Sequence, residues 1–427
     1  MSSEWASKPI SEVIDIISGG TPKTQEPSYW GGSIPWLSVV DFNNGNRYVT
    51  KAEKHITEAG LSKSATTMLQ EGDIIISARG TVGALAQIGK PMAFNQSCYG
   101  VRGKNGLANT NFIYYLLKHS VQKLKNVSHG AVFDTITRQT FDLIDVKLPN
   151  YQEQEKIAEM LGCLDDRITL LRETNATLEA IAQAMFKSWF VDFDPVHAKQ
   201  QGRAPEGMDE ATAALFPDSF DESELGLVPR GWQISSLAKL MDIAGGTQPP
   251  ASEFVETAKE GFIRLIQIRD YETDAHLTFL PFTSKLKITS KEDIMIARYG
   301  ASVGRICWGL DGAYNVALVR VVCEPSYREF LRTYLQSYVF QERLAAVSGR
   351  SAQAGFNKSD IASFKLVEPT NSLFSAYQDL AWPLRKKILH NRQQVNTLVS
   401  LRDTLLPRLI SGQIRLPVAE AILENAA

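Results

Sequence analysis

IISGGTPK (Ile16–Lys23) and IAGGTQPP (Ile243–Pro250) are two nearly identical glycine turns standing more than half a chain apart. Two adjacent glycines followed closely by Thr and Pro close a tight loop, because glycine takes positive φ without steric cost. One copy means only a turn, whereas two copies call for a search for an internal repeat. Downstream of each turn an alternating stretch runs to an Asp-aromatic pair: IPWLSVVDF (Ile34–Phe42) and IRLIQIRDY (Ile263–Tyr271). GDIIISARGTVG (Gly72–Gly83) then matches EDIMIARYGASVG (Glu292–Gly304), and AFNQ (Ala93–Gln96) matches AYNV (Ala313–Val316). ITRQTFDLIDVKLP (Ile136–Pro149) aligns with FNKSDIASFKLVEP (Phe356–Pro369) at an offset of 220, which then holds to the end of a long helical stretch. The chain is a tandem duplication.

Each copy has two parts. Residues 1–150 and 231–370 carry short β-type runs such as DIIIS and ALVRVVC, punctuated by Gly and Pro, with one helical stretch, FIYYLLKHSVQKL or EFLRTYLQSYVFQERL. They predict α+β globules. Residues 151–190 and 371–411 are helical instead. In the first, Ile157, Leu161, Leu164, Ile168, Leu171, Asn175, Leu178, Ala182, Met185 and Trp189 alternate steps of four and three. In the second, Tyr377, Ala381, Leu384, Ile388, Asn391, Val395, Leu398, Arg402, Leu405 and Leu409 do the same. Both are heptad seams. The expected domains are 1–150, a helix with connector at 151–215, 216–370, and a distal helix at 371–427.

The seams alone leave parallel pairing open, but a pseudo-dyad relating the two copies makes the helices antiparallel. Asn175 then falls at an a position and Asn391 at a d position, layers that face each other in an antiparallel coil. The expectation is that the two side chains meet and fix the register; the alternative is that each faces solvent or caps locally.

Length and composition bound the function. The 427 residues, 44% hydrophobic and 22% charged, suit two to four globular domains. Four dispersed cysteines show no CxxC spacing, which indicates neither a zinc site nor a disulfide framework. The N-terminal sequence lacks a signal-peptide pattern and no apolar run reaches about 18 residues, so the expected compartment is cytoplasmic. Net charge is −2, unevenly spread: residues 151–230 carry 7 Lys+Arg against 16 Asp+Glu, while 1–150 carry 15 against 12. Outside the acidic segment the chain is mildly basic, which permits contact with a polyanion. There is no GxxxxGK, no HExxH or HxE, and no Asn/Asp-Pro-Pro-aromatic motif for amino methylation. A duplicated, non-catalytic binder is the reading that remains.

GGTPKTQEPSYWGGSIPWLSVVDF, GDIIISARGTVG, and LPNYQEQEKIAEML running into the heptad helix resemble the specificity subunits of type I restriction-modification systems. The likeness spans essentially the whole chain, both halves in order. It departs mostly in the second copy, where GGTQPP lacks the following Trp-Gly-Gly and IRLIQIRDY replaces IPWLSVVDF. The resemblance implies an α+β fold with two target recognition domains in pseudo-twofold tandem repeat, separated by two long antiparallel coiled-coil helices. It also implies that each domain reads half of a split double-stranded DNA target while the helices set the spacer and dock two methyltransferase (modification) subunits. Restriction/translocase subunits attach through those. Adenine-N6 methylation and ATP-dependent cleavage, with S-adenosylmethionine, ATP and Mg, are expected on the partners, and no catalytic or metal site here. One helical turn, about 5.4 Å, then corresponds to one or two base pairs of spacer. A duplicated protein-binding scaffold or inhibitor is the alternative, distinguished by salt dependence and by the need for both half-sequences.

The candidate DNA contacts are polar groups near the Gly-rich loops, where backbone approaches phosphates and side chains reach base edges. In the first copy these are Thr21, Lys23, Thr24, Ser38, Asp41, Arg79, Asn95, His129 and Arg138. In the second they are Thr247, Gln248, Gln267, Arg269, Asp270, Arg298, Asn315, Arg350, Gln353 and Lys358. Arg79 and Arg298, paired by the motif match, lead the set because Arg pairs bidentately with guanine. Against this, Asp41 and Asp270 suit turn caps, and Asn95 and Asn315 suit buried backbone. Tyr29, Trp30, Trp36 and Phe42 suit core better than base stacking. Phe186, Trp189, Phe190 and Phe193 suit packing or a partner surface. Asp194–Trp232, rich in Pro, Gly and acid, reads as a connector.

Overall fold

The structure is a computed structural model in which residues 5–129, 135–273, 276–349 and 355–425 are described. The chain divides into two compact units, Met1–Glu173 with Arg392–Ala427, and Thr174–Asn391. This division cuts across a linear reading of the domains. Each unit holds one α+β globule together with half of each long helix, because each half-helix buries its seam against the opposing helix and against its own globule.

In the first unit a five-stranded sheet runs in the order Ile14–Ser18, Cys98–Gly103, Ile74–Ser77, Leu85–Ile88, Tyr48–Val49. Beside it stands a four-stranded sheet in the order Lys54–Ile56, Trp30–Leu37, Met92–Phe94, Met68–Leu69. The second unit repeats the plan. Met241–Gly245, Leu318–Cys323, Met295–Ala297 and Ile306–Cys307 form one sheet; Phe279–Pro281, Phe262–Ile266, Gly312–Tyr314 and Ile288–Thr289 form the other. Ile74–Ser77 and Met295–Ala297 are buried at every position, as befits central strands. In both units the strand that opens the globule pairs with the strand that precedes the long helix: Ala6–Pro9 with Asp145–Leu148, and Gln233–Ser236 with Lys365–Glu368.

The helices Tyr151–Phe190 and Asn371–Ile410 each span 40 residues. Every seam position named from the sequence is buried or half-buried. Pairing is antiparallel within each unit. In the second unit the Tyr377 hydroxyl donates to the Ala182 carbonyl, and Asn391 Nδ2 donates to Asn175 Oδ1 at 2.9 Å. In the first unit Ile168 and Leu171 pack with Val395, Leu398 and Val399. Asn391 is fully buried and its own Oδ1 has no partner among the described residues. A half-satisfied amide costs stability, which is the signature of a residue that fixes register rather than one that adds binding energy.

Each unit also buries a charged hub where its globule meets the coil, and the two are centred on residues of opposite charge. In the first unit the carboxylate of Asp165 accepts from Tyr115 Oη at 2.9 Å and Arg402 Nη1 at 2.6 Å, with Lys118 Nζ at 3.6 Å. Burial alone would raise its pKa, but the Lys118 and Arg402 cations hold it below the ordinary aspartate range. Arg385 stands 220 residues on, at the equivalent repeat position. It donates Nε to Glu329 at 3.1 Å and Nη1 to Glu179 at 2.6 Å, and lies 4.1 Å from the centre of the Trp308 ring.

Asp194–Trp232 is more than a connector. Its helices Asp194–Gln200 and Glu210–Ala214 and the hairpin Phe220–Ser223/Gly226–Pro229 set Val196, Phe216 and Trp232 into the second unit's core, with Phe186, Trp189 and Phe190. The four aromatics Phe186, Trp189, Phe190 and Phe193 are packing residues, Phe193 standing edge-on to Trp232. Trp36 and Phe42 are core, and Trp36 Nε1 donates to the Gly20 carbonyl at 3.1 Å. No helix among the described residues is long and apolar enough to cross a membrane.

Candidate nucleic-acid interface

Five segments of the first unit are stitched together by backbone bonds beside the open ends of its central strands. The glycine turn joins the strand Met92–Phe94 through Gly20 N to Phe94 O, 3.0 Å. The Asn95–Ser97 turn joins the Arg79 loop through Ala78 N to Ser97 O, 2.8 Å, and the segment after the undescribed residues 130–134 joins through Ile136 N to Ala78 O, 3.0 Å. The cap turn after Trp30–Leu37 enters through Asn95 N to Leu37 O, 3.0 Å. This convergence follows from topology: Trp30–Leu37 and Met92–Phe94 run parallel, so the turns that leave them emerge at one end.

The second unit builds the same edge. Thr247 N donates to Tyr314 O at 3.1 Å, Arg298 N to Ala317 O at 2.8 Å, and Asn315 N to Ile266 O at 3.3 Å. Phe262–Ile266 and Gly312–Tyr314 are again parallel.

These bonds correct the alignment of the two copies by one residue at two places. Thr247 makes the bond that Gly20 makes, so Gly246 corresponds to Gly19. The strand registers agree, since Ser18 faces Tyr99 and Gly245 faces Val319. Likewise Arg298 makes the bond that Ala78 makes, so the counterpart of Arg79 is Tyr299. In extended chain a shift of one residue turns a side chain to the opposite face. The reason for the glycines changes too. None of Gly19, Gly20, Gly245 and Gly246 has positive φ. A Cβ on Gly19 would lie 2.3 Å from the Asn95 carbonyl oxygen, and one on Gly246 would lie 2.1 Å from that of Asn315. It is close backbone approach, repeated in both copies, that requires glycine there.

The candidate side chains sort into two groups. Several are bound into the edge itself. Asp41 Oδ2 accepts from Ser38 N and Oγ at 2.7 and 3.0 Å, while Asp41 Oδ1 accepts from Glu53 N. Asp270 accepts from Gln267 N, whose side-chain amide reaches Thr278 Oγ1 at 3.3 Å. Asn95 and Asn315 accept from the backbone N–H of Ser97 and Ala317. Thr21 Oγ1 donates to Gln96. Arg138 donates to the Ile16 carbonyl and Ser18 hydroxyl at 3.0 Å, and Lys358 pairs with Asp242. Arg298 Nε donates to the Phe356 carbonyl at 3.1 Å and its guanidinium lies 5.0 Å from the Tyr299 ring centre. Thr247 is half-buried, its hydroxyl without a partner among the described residues. Lys23, Thr24 and Arg79 in the first unit and Gln248 and Arg269 in the second are exposed. The side chain of His129, which ends the helix Thr110–His129, lies outside the described residues, as do Arg350 and Gln353.

A sequence model described as the type I restriction modification DNA specificity domain matches residues 2–180 and 229–371. The chain belongs to that family. Among similar specificity subunits, that of the type I restriction enzyme MjaIX from Methanocaldococcus jannaschii is 26% identical, over 96% of this chain and 94% of its own. That of HindI from Haemophilus influenzae is 28% identical over 67% of this chain and 72% of its own. In fold, the S subunit of a Type-I restriction-modification system from M. genitalium superposes with a TM-score of 0.61 at 15% identity, covering 95% of this chain and 96% of the other. The specificity subunit is the DNA-recognising member of such a system.

Sequence reasoning passed over the buried hub residues Asp165, Glu329 and Arg385 and the half-buried Glu179. One signal pointed to the first of them. With Asn175 set opposite Asn391, ten residues back along one helix stands close to eleven forward along the other, which brings Asp165 to Arg402.

Proposed function

We propose that the first unit reads one half of a split double-stranded DNA target and the second unit reads the other. The paired helices fix the distance between halves and offer the surface for two modification subunits. Restriction/translocase subunits attach through those, and S-adenosylmethionine, ATP and Mg²⁺ belong to the partners. The observation that carries this reading is the same five-segment edge built twice, with a shared backbone frame and different exposed side chains. A single-site binder has no use for two such edges, whereas a reader of two unlike half-sites needs a common frame and private side chains.

Spacing provides the test. A heptad inserted into both helices, after Glu173 and after Asn391, keeps the seam in phase and adds about 10 Å of coil. At about 3.4 Å per base pair, the complex assembled with its modification subunits should then prefer a spacer about three base pairs longer, both half-sequences unchanged. A preferred spacer that stays the same contradicts the ruler.

A further inference from the structure

We infer that each unit reads a guanine with one arginine, and that this arginine stands at a different place in the two units: Arg79 in the first and Arg269 in the second. The inference rests on the two-half reading above and assigns the groups that do the reading.

Elimination carries it. The arginines of residues 5–150 are four, and three are engaged. Arg47 is buried against Gln87 and three tyrosine rings, Arg102 is paired with Asp73, and Arg138 is tied to the Ile16 carbonyl. Arg79 makes no side-chain hydrogen bond, ion pair or ring contact among the described residues and is exposed, immediately before the left-handed turn at Gly80. The second globule's described arginines sort the same way. Arg298, Arg305, Arg320, Arg328, Arg332 and Arg343 bond to carboxylates or carbonyls, and Arg264 has a partner as well. Arg269 alone is exposed and makes no side-chain hydrogen bond, ion pair or ring contact among the described residues.

Both lie on the stitched edge, and at each the other unit holds something unfit for the role. The counterpart of Arg79 is Tyr299, and the Arg beside it, Arg298, is spent on closing its own loop. The counterpart of Arg269, two residues past Gln267 as Val40 is past Ser38, is Val40, apolar and 68% exposed. Among the described residues each edge therefore presents one uncommitted guanidinium fork, on the loop after the central strand in one unit and on the cap turn after the parallel strand in the other. A free fork suits the O6 and N7 acceptors of guanine in the major groove, and a shift of its anchor shifts the base pair it reaches.

The test is a methylation map of DNA modified by the assembled complex carrying wild-type chain, Arg79→Ala, Arg79→Lys, Arg269→Ala, Arg269→Lys or Arg298→Ala. Arg79→Ala should relax one G·C position in one half-site, lowering discrimination there about ten- to hundredfold and leaving the other half-site intact; Arg269→Ala should do so in the other half-site. The lysine variants keep the charge but lose the fork, so they should relax the same positions even where an alanine variant fails to assemble. Arg298→Ala should lower the melting temperature and leave both half-sites unchanged. An unchanged motif, a uniform loss over all sites, or relaxation at an A·T pair on mutating Arg79 or Arg269 overturns the assignment. A wild-type map without a two-part motif overturns the functional reading before the arginines come into question.

Discussion

Arg385→Ala is expected to destabilise the second unit by about 3–5 kcal/mol, because it removes one partner of a buried charge network and leaves the others in place. Glu329 and Arg385 are each 1% exposed in their side chains. Without Arg385, Glu329 keeps only Arg332, a fully buried cation whose Nη1 already lacks a partner among the described residues, and Glu179 loses its ion pair. The Trp308 ring loses the nearer of its two cations as well, keeping only Arg332 at 5.2 Å. For a unit of this size the loss corresponds to a fall of about 10 °C in its melting temperature, read by calorimetry on the full chain. Arg402→Ala in the first unit should cost less, since Asp165 keeps the Tyr115 hydroxyl and Lys118. Equal effects would mean that the hubs do not hold their units as described.

Gly246→Ala should cost about 1–3 kcal/mol or more and should disable recognition of one half-site, whereas Gly245→Ala should fall within about 0.5 kcal/mol of wild type. The added methyl at 246 would sit 2.1 Å from the Asn315 oxygen and 2.6 Å from that of Tyr314. Both are backbone atoms fixed by a parallel strand pair, so the Asn315 turn must move, and with it the edge that carries Arg269. A methyl at 245 meets only Arg298 Nη1, at 3.9 Å. Melting curves and half-site binding of the two variants check the contrast. Equivalent effects at neighbouring glycines would refute the corrected register between the two copies.

The same contrast marks how far the sequence could be read. The repeat, the seams and the meeting of Asn175 with Asn391 were legible because their signals are local and periodic: steps of three and four, an offset of 220, one asparagine per seam. The pairing of the glycine turns and of Arg79 with Arg298 slipped by one. Matching letters aligns GGT with GGT and AR with AR, while strands align by the face each residue presents, and only the ladder bonds carry that information. The second copy also fits an extra residue between its two left-handed glycines, Gly300 and Gly304, where the first has Gly80 and Gly83. The buried hubs escaped for another reason. Asp165 and Arg402 stand 237 residues apart, and neither charge reveals its burial until the helices are set side by side. Asp194–Trp232 misled through composition: Pro, Gly and acid there separate short elements, and the few apolar residues between them enter the core.

The central claim is that this specificity subunit reads two unlike half-sites held at a fixed distance. Mapping methylated adenines in DNA from cells carrying the intact system tests it most directly. The account predicts one asymmetric motif, two short specific sequences separated by a gap of constant length and indifferent composition, with methylation in both halves. A contiguous motif, a palindrome read twice by equivalent units, or a gap of variable length would contradict it.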